Sequence, residues 1–157
     1  MSAAGAANMV GIVIVAHSRL LAEGAAELGR QMGVGQVPVE PAGGDADGGL
    51  GTSIELVERA VRAADRGAGV VLLADIGSSV LTAKTFIEDR QDGQDGQDGG
   101  AAEDAGGAAE DPGGAVVFAD APLVEGVVAA ASAAAGGADL AAVVRAAAEA
   151  YDFRKTR

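Results

Sequence analysis

The chain holds a single histidine, His17, and it directly follows an unbroken apolar run at residues 10–16 (VGIVIVA). A second such run, residues 69–74 (GVVLLA), ends in Asp75-Ile76-Gly77-Ser78-Ser79. A third, residues 115–119 (AVVFA), ends in Asp120-Ala121-Pro122-Leu123-Val124-Glu125. Imidazole, carboxylate and hydroxyls recurring after apolar runs are the ingredients of nucleophilic catalysis. A carboxylate accepting from one imidazole nitrogen fixes the tautomer and leaves the other nitrogen as a nucleophile. Such an imidazole can take a phosphoryl group, with Asp75 stabilising the positive charge that develops on the ring. The phosphate oxygens then need donors, which helix N-termini supply. Gly77 would let backbone approach closely, and the hydroxyls of Ser18, Ser78 and Ser79 would bond the oxygens. Arg19 is the one cation near this cluster, so phosphate would be held loosely enough to be passed on.

Each residue also has a plainer reading. A lone histidine after a strand can be a turn or capping residue. Asp75, Ser78 and Ser79 can be helix caps. Asp120 and Pro122 fit a turn and a helix start, and Glu125 a solvated first-turn acid. It is the combination that favours chemistry.

The three runs have no polar alternation, which predicts strands buried on both faces, as in parallel sheets. A helical pattern follows the first: Leu21, Ala25, Leu28 and Met32 share one face, with Ser18 as N-cap and Gly33 as the stop. Residues 36–41 (QVPVEP) alternate weakly, and their two prolines predict an edge strand. After a loop at 42–51, Thr52 with Glu55 has capping-box spacing, and Ile54, Val57 and Val61 face inward. Further helices follow Asp75 and Pro122. Gly136-Gly137 breaks the latter, and Asp139 caps a last helix with Leu140, Val143, Val144 and Ala147 inside. This alternation predicts an α/β fold: an open, mostly parallel sheet, order 2-1-3-4, with helices on both faces. Strands one and three are then neighbours, and the switch point between them brings His17 to Asp75.

Composition narrows the function. The 157 residues carry 11 Lys and Arg against 23 Asp and Glu, a net charge of −12. That argues against a nucleic-acid surface, which needs clustered cations. The absence of cysteine excludes thiol catalysis and Cys-ligated zinc, and one histidine excludes a His–His metal pair. No metal or cofactor is expected. No apolar stretch approaches the ~18 residues of a membrane span, and the opening MSAAGAAN lacks signal-peptide features, so a cytoplasmic protein is expected. Met9 is a second candidate start. Alanine supplies 37 of the apolar residues, so the core must rest on Val, Ile and Leu. Nine acids and one arginine fall between Glu88 and Asp111, which accounts for −8 of the net charge. Three QDG triplets and a Gly/Ala-rich stretch predict a disordered acidic insertion at 90–114 within a single domain at 9–150. Residues 1–8 and 151–157 are expected to be flexible tails. The Asp-Gly repeats lack the hydrophobic position of calcium-binding nonapeptides.

The ordered set of motifs resembles a known family. The text Val10-Gly-Ile-Val-Ile-Val-Ala-His17-Ser18, Leu21-Ala-Glu-Gly24, Glu27-Leu28, Gly51-Thr52-Ser53, Asp75-Ile-Gly-Ser-Ser79 and Ala121-Pro-Leu-Val-Glu-Gly126 is similar to the phosphotransfer subunit of the phosphoenolpyruvate-dependent dihydroxyacetone kinase. That subunit belongs among mannose-type enzyme IIA domains. The resemblance covers residues 9–89 and 115–150, and the acidic insertion departs from the family's short connection. It implies that His17 is the phosphorylated histidine and Asp75 its partner, with Ser78 in the region that contacts phosphate. It further implies a homodimer that takes phosphate from the histidine-containing phosphocarrier protein. The phosphate would go to ADP on the nucleotide-binding kinase subunit, while a third subunit holds dihydroxyacetone. The mannose-type sugar transporter IIA domain is the alternative. Its usual Thr-His-Gly and Gly-Gly-Ser-Pro read here as Ala-His17-Ser18 and Gly77-Ser78-Ser79, which favours the dihydroxyacetone branch. A fused phosphocarrier domain is not expected in a chain with one histidine. A non-catalytic binding or regulatory module on the same fold, with the glycine-rich loop 43–51 as a lid, is the alternative from another class.

Overall fold

The structure is a computed structural model that describes residues 8–98 and 114–156. Four parallel strands form one sheet in the order β2-β1-β3-β4. In chain order the elements are β1 (Gly11–Ala16), α1 (Arg19–Met32), β2 (Val39–Gly43), α2 (Ile54–Ala64), β3 (Val70–Ala74), α3 (Gly77–Asp98), β4 (Val116–Phe118), α4 (Leu123–Ala135) and α5 (Leu140–Glu149). The expected α/β architecture and strand order are those observed.

The unbroken apolar runs behave as their lack of alternation requires. All six residues of β1 and all five of β3 are buried. Successive side chains point to opposite faces, and the two faces have separate cores. Ile12, Ile14, Val71 and Leu73 meet α1, α4 and α5 on one side. Val13, Val15, Val70 and Leu72 meet α2 and α3 on the other. Each fully buried Val, Ile or Leu contributes about 1.5–3 kcal/mol. The small set of aliphatics in the two central strands therefore outweighs the many alanines. The two prolines sit where their missing N–H is tolerated, before and within the edge strand β2.

Helix α1 corrects the sequence reading. Its buried face is Ala22, Ala25, Ala26 and Gly29, while Leu21 and Met32 are exposed. Close approach decides this: a Cβ on Gly29 would lie 2.8 Å from Val127 Cγ1 of α4 and 3.1 Å from Val39 Cγ1 of β2. Small residues let α1 lie tight against both, and larger ones are displaced to solvent. Ser18 is the N-cap, accepting from the Leu21 N–H at 3.2 Å, and Gly33 follows the last turn.

One further expectation is corrected. Ser53, not Thr52, caps α2, accepting from Leu56 N–H at 3.3 Å, while Thr52 Oγ1 bonds Thr82 Oγ1 of α3 at 2.8 Å. Two exposed side chains near the C-terminus bond residues around the start of α4. Tyr151 donates to Asp120 at 2.9 Å and Lys155 to Glu125 at 3.0 Å, each partner lying beside the start of α4. Helix α3 runs to Asp98, into the acidic segment expected to be disordered. The rest of that segment, residues 99–113, lies outside the described residues, as do residues 1–7.

Candidate active site

The strand register brings the site together. β1 pairs with β3 so that Val15 faces Ala74, and with β2 so that Ala16 faces Gly43. The residues that follow, His17, Asp75 and Gly44, therefore emerge side by side at the C-terminal rim of the sheet. Backbone bonds fasten them: Asp75 N–H to Val15 O at 3.2 Å, Gly44 N–H to Ala16 O at 3.1 Å, and Gly51 N–H to His17 O at 3.0 Å. Gly43 allows this closeness, since a Cβ there would lie 2.5 Å from the Ser18 carbonyl oxygen.

His17 and Asp75 meet twice. The His17 backbone N–H donates to Asp75 Oδ2 at 3.1 Å, and His17 Nδ1 lies 3.2 Å from Oδ1 and 3.4 Å from Oδ2. Ile76 N–H donates to Oδ1 at 2.7 Å. Burial pushes the Asp75 carboxyl up, but hydrogen bonds from the Ser79 hydroxyl, the His17 and Ile76 backbones and the His17 ring outweigh it. The carboxyl is held below its ordinary value and is ionised at neutral pH. An ionised carboxylate only accepts, so the ring proton sits on Nδ1 and the lone pair on Nε2. The His17 side chain is 27% exposed and that of Asp75 only 10%. The carboxylate is thus held behind the ring.

The two serines are split across the ring. Ser78, at the exposed start of α3, hydrogen-bonds Nε2. Ser79 is fully buried, and its Oγ lies 3.0 Å from Nδ1. Only Ser78 is therefore placed at the nitrogen with the lone pair. The expectation that Ser79 bonds phosphate oxygens does not match its position at the other end of the ring. Ser18 caps α1 with its hydroxyl. Gly77 opens α3, and no atom lies within 4 Å of where its Cβ would be. The open space faces outward, so no close packing within the chain calls for glycine there. Two helices thus begin beside His17, α1 at Arg19 and α3 at Gly77, and each brings unpaired N–H groups and the positive end of its dipole. Arg19 is exposed and paired with Glu23 at 3.3 Å. Among the described residues, no group of three or more His, Asp or Glu could hold a metal ion.

Sequence reading missed three exposed apolar residues that neighbour the site residues in the chain. Leu20, Leu50 and Ile76 are 71%, 80% and 64% exposed. They adjoin, respectively, the α1 start, Gly51 and Asp75, each within a few residues of His17 or bonded to it. Their signal was available as large apolar residues beside the polar motifs, but nothing in the pattern separates them from core positions. A groove of about 710 Å³ lies away from these residues, between α2 and α3 and next to the residues preceding β3 (Asp65, Arg66, Gly67). It takes no part in the constellation around His17.

The sequence model of the EIIA-man family, described as PTS system fructose IIA component, matches residues 11–95. This chain belongs to the EIIA-man family. Among curated proteins, the phosphoryl donor subunit DhaM of the PEP-dependent dihydroxyacetone kinase of Providencia stuartii is 33% identical over 84% of this chain and 24% of its own length. The DhaM of Pantoea ananatis is 35% identical over 87% of this chain and 26% of its own length. The chain thus spans about a quarter of the length of these relatives. A DhaM of Listeria innocua, from kinase 2 of that organism, is 32% identical over 51% of this chain and 64% of its own length. In fold, the EIIA-man chain matches the crystal structure of EF1359, a protein of unknown function. The TM-score is 0.65 at 25% identity, over 88% of this chain and 92% of that one. No helix among the described residues is long and apolar enough to cross a membrane.

Proposed function

We propose that this protein is a phosphohistidine carrier, the phosphoryl donor subunit of a phosphoenolpyruvate-dependent dihydroxyacetone kinase. One observation carries the reading: the sole imidazole of the chain has Nδ1 held by an ionised carboxylate and Nε2 directed to the hydroxyl of an exposed serine. In the first transfer, the Nε2 lone pair attacks the phosphorus of a phosphohistidine on the phosphocarrier protein. The donor's P–N bond breaks and its imidazole leaves with the electron pair. The His17 ring keeps its Nδ1 proton and becomes positive, and Asp75 stabilises that charge. Ser78 turns from Nε2 to a phosphate oxygen, and the N–H groups that begin α3 supply further donors. In the second transfer, a terminal phosphate oxygen of ADP attacks the phosphorus, the Nε2–P bond breaks, and His17 leaves as neutral imidazole.

Among the described residues no cation is bonded to the imidazole, which suits transit. A phosphate held by neutral donors is retained less strongly than one clamped by Arg or Lys. Leu20, Leu50 and Ile76 are exposed and stand next in the chain to site residues or to residues bonded to His17, so they would offer protein donors and acceptors an apolar docking surface. The DhaM names of the relatives favour the kinase over a sugar transporter as the destination. A homodimer, with the single domain at 9–150 as protomer, is part of this reading, as is a cytoplasmic location with its phosphocarrier.

The test is reconstitution. Incubation with phosphoenolpyruvate, enzyme I and the phosphocarrier should give an acid-labile, base-stable phosphate on the chain. Adding the nucleotide-binding and dihydroxyacetone-binding subunits with ADP should discharge it and form dihydroxyacetone phosphate. The His17→Ala variant should fold and carry nothing. A chain that is labelled but never discharged by the kinase subunits points to a transporter acceptor. A chain that is never labelled is a binding module.

A further inference from the structure

Ser79 is an unusual place for a hydroxyl. Two polar side chains are buried among the described residues, Ser53 and Ser79. Ser53 is accounted for as the cap of α2, with Oγ also donating to Glu55 at 3.2 Å. Ser79 caps nothing. It is fully buried in the first turn of α3, and its own backbone N–H already bonds Ile76 O at 2.9 Å. A hydroxyl withdrawn from water costs stability unless it is hydrogen-bonded, and Ser79 Oγ has the ring of His17 within hydrogen-bond distance. Ser79 Oγ lies 3.0 Å from His17 Nδ1, closer than either oxygen of Asp75, at 3.2 and 3.4 Å.

We infer that Ser79 is a positioning residue that, together with Asp75, holds the proton on Nδ1 and so keeps Nε2 free to attack. The inference deepens the carrier reading and rests on it for its consequence in transfer. The direction of the bonds follows from what each group can do. An ionised Asp75 only accepts, so Nδ1 must present a proton to that side. Ser79 Oγ then accepts from Nδ1–H alongside the carboxylate, and its own proton is free to go to Asp75. The same hydroxyl is among the groups that hold the Asp75 carboxyl below its usual range. Ser79, Asp75 and the ring thus close a small network in which each proton has a defined place. Were the Ser79 proton aimed at Nδ1 instead, the nitrogen's lone pair would face the carboxylate, an arrangement that repels. The consecutive serines are therefore assigned different tasks: Ser78 attends the reacting nitrogen, and Ser79 the nitrogen behind it.

The test uses the fact that the chain has one histidine, so imidazole nitrogen resonances in ¹⁵N-histidine-labelled protein come from His17 alone. In the unphosphorylated wild type, above the pH at which the ring loses its second proton, the spectrum should show the Nδ1–H tautomer. Ser79→Ala should raise the Nε2–H fraction and slow phosphorylation of His17 on the order of tenfold, the loss of one buried hydrogen bond. Ser79→Cys keeps the volume without a strong hydrogen bond. It should behave like Ser79→Ala, and it also serves if the alanine variant folds poorly. If Ser79→Cys matched wild type in both tautomer and rate, the residue would be packing only. If either variant slowed transfer with the tautomer unchanged, the hydroxyl would act on phosphate and the inference would be overturned. The tautomer is read without any phosphate, so a protein that cannot be phosphorylated defeats the carrier reading while leaving this measurement to decide the role of Ser79.

Discussion

At the residue scale, the two nitrogens of His17 have unequal surroundings, and the proposed chemistry depends on that inequality. Nδ1 faces a carboxylate and a buried hydroxyl, while Nε2 faces an exposed hydroxyl. Removing the charge behind the ring tests this directly. Asp75→Asn should slow phosphorylation of His17 by roughly 10²–10⁴-fold without unfolding the protein, because an amide can present a donor to Nδ1 and favour the wrong tautomer. The same carboxyl gives a pH prediction. Its folded pKa is depressed, so its contribution to stability is complete above its unfolded value, about 4, and is lost as pH falls through the folded value. Acid titration followed by circular dichroism should therefore show a loss of stability below about pH 4 that is smaller in Asp75→Asn. The pairing of His17 with Asp75 was legible in the sequence, because both follow buried runs and adjacent parallel strands end together. The division of labour between Ser78 and Ser79 was not. Successive helical residues point about 100° apart, and which of them turns inward depends on how α3 packs on the sheet.

At the element scale, glycine and alanine set distances that larger residues cannot. The boundaries of β1 and β3 could be read from their β-branched runs to within a residue. The packing face of α1 could not, because the sequence pattern ranks Leu above Ala while the close contact with β2 and α4 selects for smallness. Gly43 bears on function most directly, since it lets the end of β2 lie against Ser18, the residue after His17. Gly43→Ala would force a Cβ to within 2.5 Å of the Ser18 carbonyl oxygen and 2.6 Å of Ala22 Cβ. Backbone must then move. Chemical denaturation should show a loss of about 1–3 kcal/mol, accompanied by slower phosphorylation because the start of α1 shifts with it. Gly77→Ala, at a position with open space around it, should leave stability nearly unchanged in the same measurement.

At the scale of the whole molecule, the fold class followed from counting alternations, and the strand order followed from handedness and the edge-strand prolines. In the sequence, the acidic segment falls between α3 and β4. Its flanks are fastened: Arg90 donates to Gly114 O at 3.3 Å, and Gly114 N–H donates to Asp65 Oδ2 at 3.0 Å. Replacing residues 99–113 by a connection of roughly six Gly and Ser residues should therefore change stability by less than about 1 kcal/mol, because closure entropy grows only logarithmically with loop length. Unfolding should remain one cooperative transition, and the rate of phosphorylation should be kept. A large fall in rate at low salt alone would show that the acidic segment steers the encounter with a basic partner.

The most direct measurement is the position of the phosphoryl group. Wild-type protein should be charged with phosphoenolpyruvate, enzyme I and the phosphocarrier, then analysed by ³¹P and ¹⁵N NMR with the single histidine labelled. The charged protein should carry one phosphoryl group per chain, bonded to Nε2 of His17, with the Nδ1 proton retained. Phosphate on Nδ1, or on any side chain other than His17, would contradict this placement.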